Sequence, residues 1–244
     1  MTSAGLPPGS ILGVWAHPDD ETYLSSGLMA TAVQAGQRVV CVTATRGEAG
    51  SQDEARWPLA DLPAIREKEL ARALEVIGVK EHRWLDYRDG GCATVPVGDA
   101  VAKVAAIIED VRPQSVLTFG PDGMTGHPDH VAVCRWTTAA FDEAAPAGSK
   151  LFYATMTPEM ADVMEPALAP YDVFFAGPPP RTPRAELGID FQLDRKLLDL
   201  KFEAIKAQVS QSEGLLNALG RDFFDVSNGE ETFAVAATKA PPSE

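Results

Sequence analysis

Ile11-Leu12-Gly13-Val14-Trp15-Ala16-His17-Pro18-Asp19-Asp20-Glu21 is an apolar run that stops abruptly at a histidine, a proline and three acids. The apolar part, within residues 10–16, is short and unbroken, as a strand buried on both faces requires. Three acids cannot extend such a strand, so the chain must leave the sheet near His17. Acids are favoured in a first helical turn, and the pattern that follows predicts a helix over 22–35, broken by Gly36.

The same alternation continues outward from this stretch. Residues 37–45, with Val39, Val40, Cys41, Val42 and Thr43, predict a second strand. After a loop to about residue 62, a helix is expected over 63–77, with Asp61 near its start, Pro63 in its first turn and Gly78 past its end. A third strand is expected over 81–87, a helix over 98–111 closed by Pro113, and a fourth strand over 115–119. The next helix begins around Gly126-His127-Pro128-Asp129-His130 and runs to about residue 144, before a fifth strand over 151–157. Beyond it the pattern weakens. Gly177-Pro178-Pro179-Pro180 is a loop or crossing segment, and Phe191 sits on a short strand. A helix over 195–208 carries Leu197, Leu198, Phe202 and Ile205 on one side, and a last strand covers 233–237. No internal repeat is visible, and no low-complexity tail beyond residues 241–244.

Strands alternating with helices predict an α/β protein: a doubly wound, mostly parallel sheet with helices on both faces. The chain reads as one domain over 1–244, with a catalytic core at about 10–157 and a part at 158–244 that completes the fold and shapes the pocket. In the strand order 3-2-1-4-5, strands 1 and 4 are neighbours, and a crevice opens where their connections diverge. His17 follows strand 1 and His127 follows strand 4, so residues about 110 apart in sequence meet at one sheet end. A nucleotide site is not indicated, because the turn after strand 1 lacks the glycine fingerprint and its carboxylates would repel a pyrophosphate.

Composition narrows the classes further. Of 244 residues, 45% are apolar and 23% charged, which suits an ordinary soluble globular protein. A formal net charge of −14 speaks against a nucleic-acid partner and, weakly, against an anionic membrane; the acids read as a solvated surface. Residues 1–10 show no secretory signal, and no apolar stretch reaches the roughly 18 to 20 residues of a membrane helix. Cys41, Cys92 and Cys134 lack metal-type spacing; Cys41 and Cys134 read as small core residues, and a reducing cytoplasm is the expected location.

The two clusters hold three of the four histidines, each with an acid two or three residues away. One carboxylate and two histidines can bind a zinc-type ion and leave positions for water and substrate. A carboxylate and a histidine then remain beside the ion, enough for a base and an oxyanion stabiliser. A His-x-x-His alone is often a capped helix start, and His-Pro-Asp-Asp-Glu alone can be a turn with an N-cap; their convergence at neighbouring strand ends is what favours a metal site. His82 stands apart from both and reads as structural or solvated.

These residues resemble the LmbE-like, or PIG-L, family of zinc-dependent de-N-acetylases. The likeness covers residues 11–133 and rests on motifs that occur in order: Ala16 to Glu21, Thr45-Arg46-Gly47-Glu48-Ala49-Gly50, Arg66-Glu67-Lys68-Glu69-Leu70, and Gly120-Pro121-Asp122-Gly123 leading into His127 to His130. The resemblance implies a Rossmann-like fold and hydrolysis of an N-acetyl group on an aminosugar such as N-acetylglucosamine or a conjugate. By it, His17, Asp20 and His130 are the zinc ligands and Asp19 is the general base. His127 stabilises the oxyanion or donates a proton to the leaving amine, with Asp129 orienting or tuning it. Arg66 and Glu48 match positions that contact sugar hydroxyls.

Two positions depart from the family pattern. Thr125 stands where some aminosugar deacetylases carry a tyrosine that polarises the oxyanion, and Gln208-Val209-Ser210-Gln211 has glutamine where a histidine is frequent. Both bear on the substrate rather than on the metal. A deacylase of a small non-sugar amide and a non-catalytic sugar-binding domain are the alternative readings. An iron oxygenase shares the two-histidine, one-carboxylate set, but the spare Asp19 and the doubly wound pattern speak against it. Iron(II) in place of zinc is compatible with three N/O ligands, and a homo-oligomer is compatible with the long segment 158–190, a candidate for substrate selectivity or subunit contact.

Overall fold

The computed structural model describes residue 7 and residues 9–240. Its elements are, in order, β1 (Ile11–Trp15), α1 (Asp20–Gln34), β2 (Val39–Thr43), α2 (Leu62–Ile77), β3 (Glu81–Trp84), α3 (Val97–Val111) and β4 (Ser115–Phe119). The single turn α4 (Gly123–Gly126) leads into α5 (Pro128–Ala144), followed by β5 (Lys150–Thr155), α6 (Pro158–Leu168) and β6 (Leu187–Gln192). Then come α7 (Arg195–Lys206), α8 (Val209–Ser227) and β7 (Glu230–Thr238).

The seven strands form one sheet in the order β3-β2-β1-β4-β5-β7-β6. The first five are mutually parallel, with Ile11 of β1 opposite Val39 of β2 on one side and Ser115 of β4 on the other. The expected 3-2-1-4-5 core is therefore present, and β1 and β4 are neighbours. β1, β2 and β4 are buried at every residue, which is why they read as unbroken apolar runs. β7 then joins β5 antiparallel, and β6 joins β7 antiparallel, which extends the sheet at one edge. α3 packs on α5, while α1, α2 and α7 pack on one another, as crossovers to opposite faces require.

The structure departs from the sequence reading mainly past residue 157. The stretch 177–180 carries no helix or strand, as expected, but segment 158–190 also holds α6, for which no element was expected and whose interior Pro166 interrupts the helical pattern. The helix expected over 195–208 ends at Lys206, and α8 follows, bent at Gly220 where φ is 76°. The absent secretory signal expected at residues 1–10 falls mostly outside the described residues, and so does the tail at 241–244. Among the described residues, no helix is long and apolar enough to cross a membrane. Cys41, Cys92 and Cys134 are buried and free.

Trp15 and Phe119, the last residues of the neighbouring strands β1 and β4, meet edge to face with ring centroids 5.2 Å apart. Phe119 in turn stacks on the His130 ring at 4.1 Å, 12° from parallel. The packed core thus reaches up to the sheet end and fixes one of the site's rings.

Candidate active site

At the end of β1 the chain turns sharply through His17, Pro18 and Asp19 into α1. The Asp20 carboxylate closes this turn, its Oδ2 accepting from the backbone amides of His17 (2.8 Å) and Ala16 (3.2 Å). Asp19 caps the helix with φ at 125° and ψ at −32°, a conformation that L residues rarely adopt. Such backbone strain costs roughly 1–3 kcal/mol and persists only where its surroundings enforce it. Here the Asp19 amide donates to Glu21 Oε2 at 3.1 Å, and its carbonyl accepts from the Thr22 and Tyr23 amides.

Behind the turn lies Arg66 of α2, only 3% exposed. Its guanidinium donates to the Pro18 carbonyl, to Gly47 O at 3.0 Å and to Asp19 Oδ2 at 3.1 Å. Gly47, with φ at 65°, passes so close that a Cβ there would collide with the guanidinium. That accounts for the glycine in the Thr45–Gly50 motif. Arg66 is therefore engaged with the protein's own Asp19 turn, and its Nε atom has no hydrogen-bond partner among the described residues.

The second cluster follows β4. Asp122 Oδ1 accepts from the Met124 amide and α4 brings the chain round to Pro128, the first residue of α5. His127 caps α5, its Nδ1 accepting from the Asp129 amide at 3.2 Å, which leaves Nε2 to carry the ring proton when the histidine is neutral. His130 Nδ1 faces Gly123 O at 2.9 Å. A carbonyl can only accept, so Nδ1 carries the proton and Nε2 presents a lone pair.

That lone pair meets groups from the first cluster. His130 Nε2 lies 3.1 Å from His17 Nδ1 and 3.4 Å from Asp20 Oδ1, and His17 Nδ1 lies 3.7 Å from Asp20 Oδ2. On the other side of its ring, His17 Nε2 lies 3.0 Å from Asp89 Oδ1 and 3.4 Å from Asp129 Oδ2. These carboxylates call for a proton on Nε2, which points the Nδ1 lone pair at that of His130. Only a proton or a cation between the two nitrogens relieves this. With a proton there, burial disfavours the charged ring, yet Asp129, Asp89 and Asp20 together push the His17 pKa up to about 10. With a metal ion there, ligand atoms at about 2.0–2.2 Å in tetrahedral array would stand a little over 3 Å apart, close to the separations found. The donor set suits a metal, and the carboxylate behind His17 is the usual support for a metal-bound histidine.

His127 completes the cluster. Its ring lies edge to face with that of His17 at 4.8 Å, and His17, His127 and His130 offer ring nitrogens within 4.8 Å of one another. A second group within that span is His17, Asp89 and Asp129. Asp129 is fully buried and its carboxylate accepts from the amides of Gly90 (2.7 Å) and Cys92 (3.1 Å), so it reaches His127 through its own backbone amide. Burial, together with the charges of His17 and His130, lowers the His127 pKa. Asp19 is pushed up to about 7, mainly by burial, with Arg66 acting in the opposite direction.

Glu48 Oε1 accepts from the Asp89 amide at 3.0 Å, while Asp89 Oδ2 accepts from the Ala49 amide at 2.9 Å. This reciprocal pair ties the loop after β2 to the loop after β3. Thr125 Oγ1 stands 3.4 Å from His130 Nδ1 and accepts from the His127 amide at 3.4 Å. All nine residues singled out in sequence thus lie in or against one cluster. His82 lies elsewhere, 3.0 Å from Thr43 Oγ1 and beside Trp84.

Sequence reasoning assigned no role to Asp89, Phe175 or Glu21, although Glu21 closes the first motif. Asp89 stands just before Gly90-Gly91 in the loop leaving β3 at the same sheet end, a position that could have marked it. Phe175 packs edge-on against His127 with centroids 5.0 Å apart. Glu21 explains Gln208, whose Nε2 donates to Glu21 Oε1 at 2.7 Å. The departing glutamine thus stands behind the Asp19 turn. Burial and the neighbouring Asp19 push Glu21 up to about 8.

A His/Asp cluster at the switch point of a doubly wound sheet, with a buried acid alongside, defines an α/β protein built around a candidate metal centre. The family model described as PIG-L: GlcNAc-PI de-N-acetylase matches residues 12–141, and the chain belongs to that family. It is 35% identical over 258 residues to the 1D-myo-inositol 2-acetamido-2-deoxy-alpha-D-glucopyranoside deacetylase of Acidothermus cellulolyticus, covering 93% of this chain and 86% of that one. With the enzyme of the same name from Kineococcus radiotolerans it shares 38% identity over 171 residues, which is 59% of this chain and 47% of the relative. These homologues are deacetylases, and therefore hydrolases. Among solved structures, N,N'-diacetylchitobiose deacetylase from Pyrococcus horikoshii superposes with a TM-score of 0.60 at 22% identity, over 93% of this chain and 83% of that one. The 4-carboxy-2-hydroxymuconate hydratase GalB from a Pseudomonas superposes with 0.64 at 16% identity, over 97% and 100%. At such identities the likeness speaks for the fold, and the site must speak for the reaction.

Proposed function

We propose that this chain is a metal-dependent hydrolase that removes an acetyl or other small acyl group from the amine of an aminosugar or aminosugar conjugate. The observation that carries this reading is the convergence of His17 Nδ1, His130 Nε2 and the Asp20 carboxylate within 3.7 Å of one another, with Asp19 in the same turn. Those three residues would hold the ion, and zinc is the ion this donor set suits best. When bound, the metal supplies Lewis acidity, polarising the acyl carbonyl and acidifying water.

The chain's own residues do the rest. Asp19 accepts the proton of the attacking water, and Arg66 and Glu21 hold its carboxylate and its backbone in place. His127, with Nδ1 occupied by the Asp129 amide, presents Nε2–H to the developing oxyanion or to the departing nitrogen. Asp129 and Asp89 support His17 from behind, and Glu48 positions Asp89. Attack of water on the acyl carbon and cleavage of the C–N bond release a carboxylate and an amine.

The test is metal content measured together with amine release from N-acetylglucosamine and a panel of its conjugates, before and after chelation. One equivalent of metal and chelator-sensitive amine release, restored by zinc, is the expected result. Absence of bound metal even after zinc is supplied would overturn the hydrolase reading.

A further inference from the structure

Gln208 stands at the joint between α7 and α8 and is only 2% exposed. It occupies the cap position of α8, where a polar side chain is favoured because it can accept from the helix's free amides. Gln208 makes no such bond. Its side chain crosses instead to α1, where Nε2 donates to Glu21 Oε1 at 2.7 Å. A buried amide is costly unless its hydrogen bonds are made, and this one makes its bond to a residue 187 positions away in sequence.

The other oxygen of Glu21 accepts from the Asp19 amide at 3.1 Å, so a single, wholly buried side chain bridges Gln208 to the Asp19 backbone. Thr22 holds the carbonyl of the same residue. Its hydroxyl has one proton and gives it to Asp19 O at 2.7 Å, so its 3.4 Å approach to Gln208 Oε1 is a contact rather than a second bond. With φ at 125°, Asp19 would relax if its amide were released.

The next residues of the joint reach the remaining supports of Asp19. Ser210 donates from its amide and its hydroxyl to Glu69, three residues along α2 from Arg66. Gln211 Nε2 donates to Gly50 O at 3.0 Å, in the loop whose Gly47 carbonyl accepts from the Arg66 guanidinium. The stretch 208–211 therefore bears on the Asp19 amide through Glu21 and on its carboxylate through Arg66.

We infer that Gln208 is a positioning residue for the proton-accepting carboxylate: by holding Glu21 it keeps the Asp19 backbone in its strained form and the side chain aimed at the attacking water. This rests on the hydrolase reading above, in which Asp19 takes that proton. The metal ligands do not depend on Gln208, because Asp20 is held by the amides of Ala16 and His17.

The test is a cycle on the zinc-loaded full chain, with the amide of the panel above that is turned over fastest: Gln208→Met, Asp19→Asn and both together. Gln208→Met keeps the length of the side chain and removes the donor. It should lower kcat about tenfold to a hundredfold, the scale of a misaimed group, with KM and metal content unchanged. In the Asp19→Asn background it should lower the chelator-sensitive residual rate by less than about twofold, because the group it aims is gone. An equal fall in both backgrounds marks a general structural effect and overturns the inference. So does an unchanged kcat, or a loss carried by KM or by metal. Gln208→Asn keeps a polar amide but is one methylene too short to reach Glu21, and should give the same split; it takes the place of Gln208→Met in the cycle if circular dichroism shows the latter unfolded. If the unsubstituted chain releases amine from none of the panel, the hydrolase reading fails, and amide hydrogen exchange followed by NMR decides the positioning separately. In either variant the Asp19 amide should then exchange at least about tenfold faster, while the Gly27 and Leu28 amides, which Glu231 holds in the same helix, keep their rates. An unchanged rate at Asp19, or a rise shared by Gly27 and Leu28, overturns it.

Discussion

The strained backbone of Asp19 is held from three directions, by Glu21 on its amide, by Arg66 on its carboxylate and by the start of α1 on its carbonyl. Such strain at one residue is expected where a side chain must be aimed, and in the proposed reading it aims Asp19 for proton transfer beside His17, Asp20 and His130. Asp19→Asn should retain the metal and lose roughly two to four orders of magnitude in kcat, the scale of a general base. Metal analysis alongside turnover checks this, and near-normal kcat would remove Asp19 from the chemistry. The histidines divide in the same assay. His130→Ala should lose metal and activity together, because Nε2 faces both His17 and Asp20, whereas His127→Ala should keep metal and lose turnover. Loss of metal in His127→Ala would shift the ligand set to His17, His127 and His130, whose ring nitrogens also converge. The two clusters were legible in sequence because each interrupts an apolar pattern. Asp89 had only the neighbouring Gly90-Gly91 turn as a signal and the pairing of Glu21 with Gln208 had none, because these roles come from contacts made across 72 and 187 positions of chain.

At the scale of elements, a buried carboxylate joins α2 to α8. Glu69 is buried and accepts from both the amide and the hydroxyl of Ser210, at 2.9 and 2.6 Å. This satisfies a donor in the first turn of α8 that has no partner within its own helix. Glu69→Ala leaves two buried donors unpaired and should destabilise the fold by about 2–4 kcal/mol, at roughly 1–3 kcal/mol per orphaned group with partial compensation by water. A urea titration measures it; an unchanged midpoint would show that Ser210 finds another acceptor. The elements best read from sequence were β1, β2 and β4, where burial on both faces removes any polar interruption. α6 and α8 escaped because Pro158 and Pro166, and then Gly214 and Gly220, break up the helical pattern. β6 shows only two buried positions in six, the mark of an edge strand, and was correspondingly faint.

At the scale of the whole molecule, a buried charge pair is one of the ties between the C-terminal elements and the site-bearing half. Lys201 of α7 is wholly buried and donates to Glu231 Oε1 of β7 at 2.8 Å and to the carbonyl of Tyr23 in α1 at 2.7 Å. Glu231 also accepts from the amides of Gly27 and Leu28, so three elements distant in sequence share one ionic centre. Two charges removed from water gain little net stability as a pair, but removing one leaves the other uncompensated. Lys201→Met should therefore cost about 3–5 kcal/mol, read as a lowered urea midpoint at constant slope. The double variant Lys201→Met with Glu231→Gln should recover part of that loss, since no charge remains unpaired and the amide oxygen still accepts from one of the Gly27 and Leu28 amides, while its NH2 cannot accept from the other. The coupling energy from the complete cycle, with Glu231→Gln as the other single variant, isolates the pair from the packing changes each substitution introduces. A Lys201→Met cost below about 1 kcal/mol would place the pair in an effectively solvated setting. The joint between the two halves would then rest on the sheet contacts of β5 with β7, the packing of α1 and α2 against α7, and the hydrogen bonds of Gln208 to Glu21 and of Ser210 to Glu69.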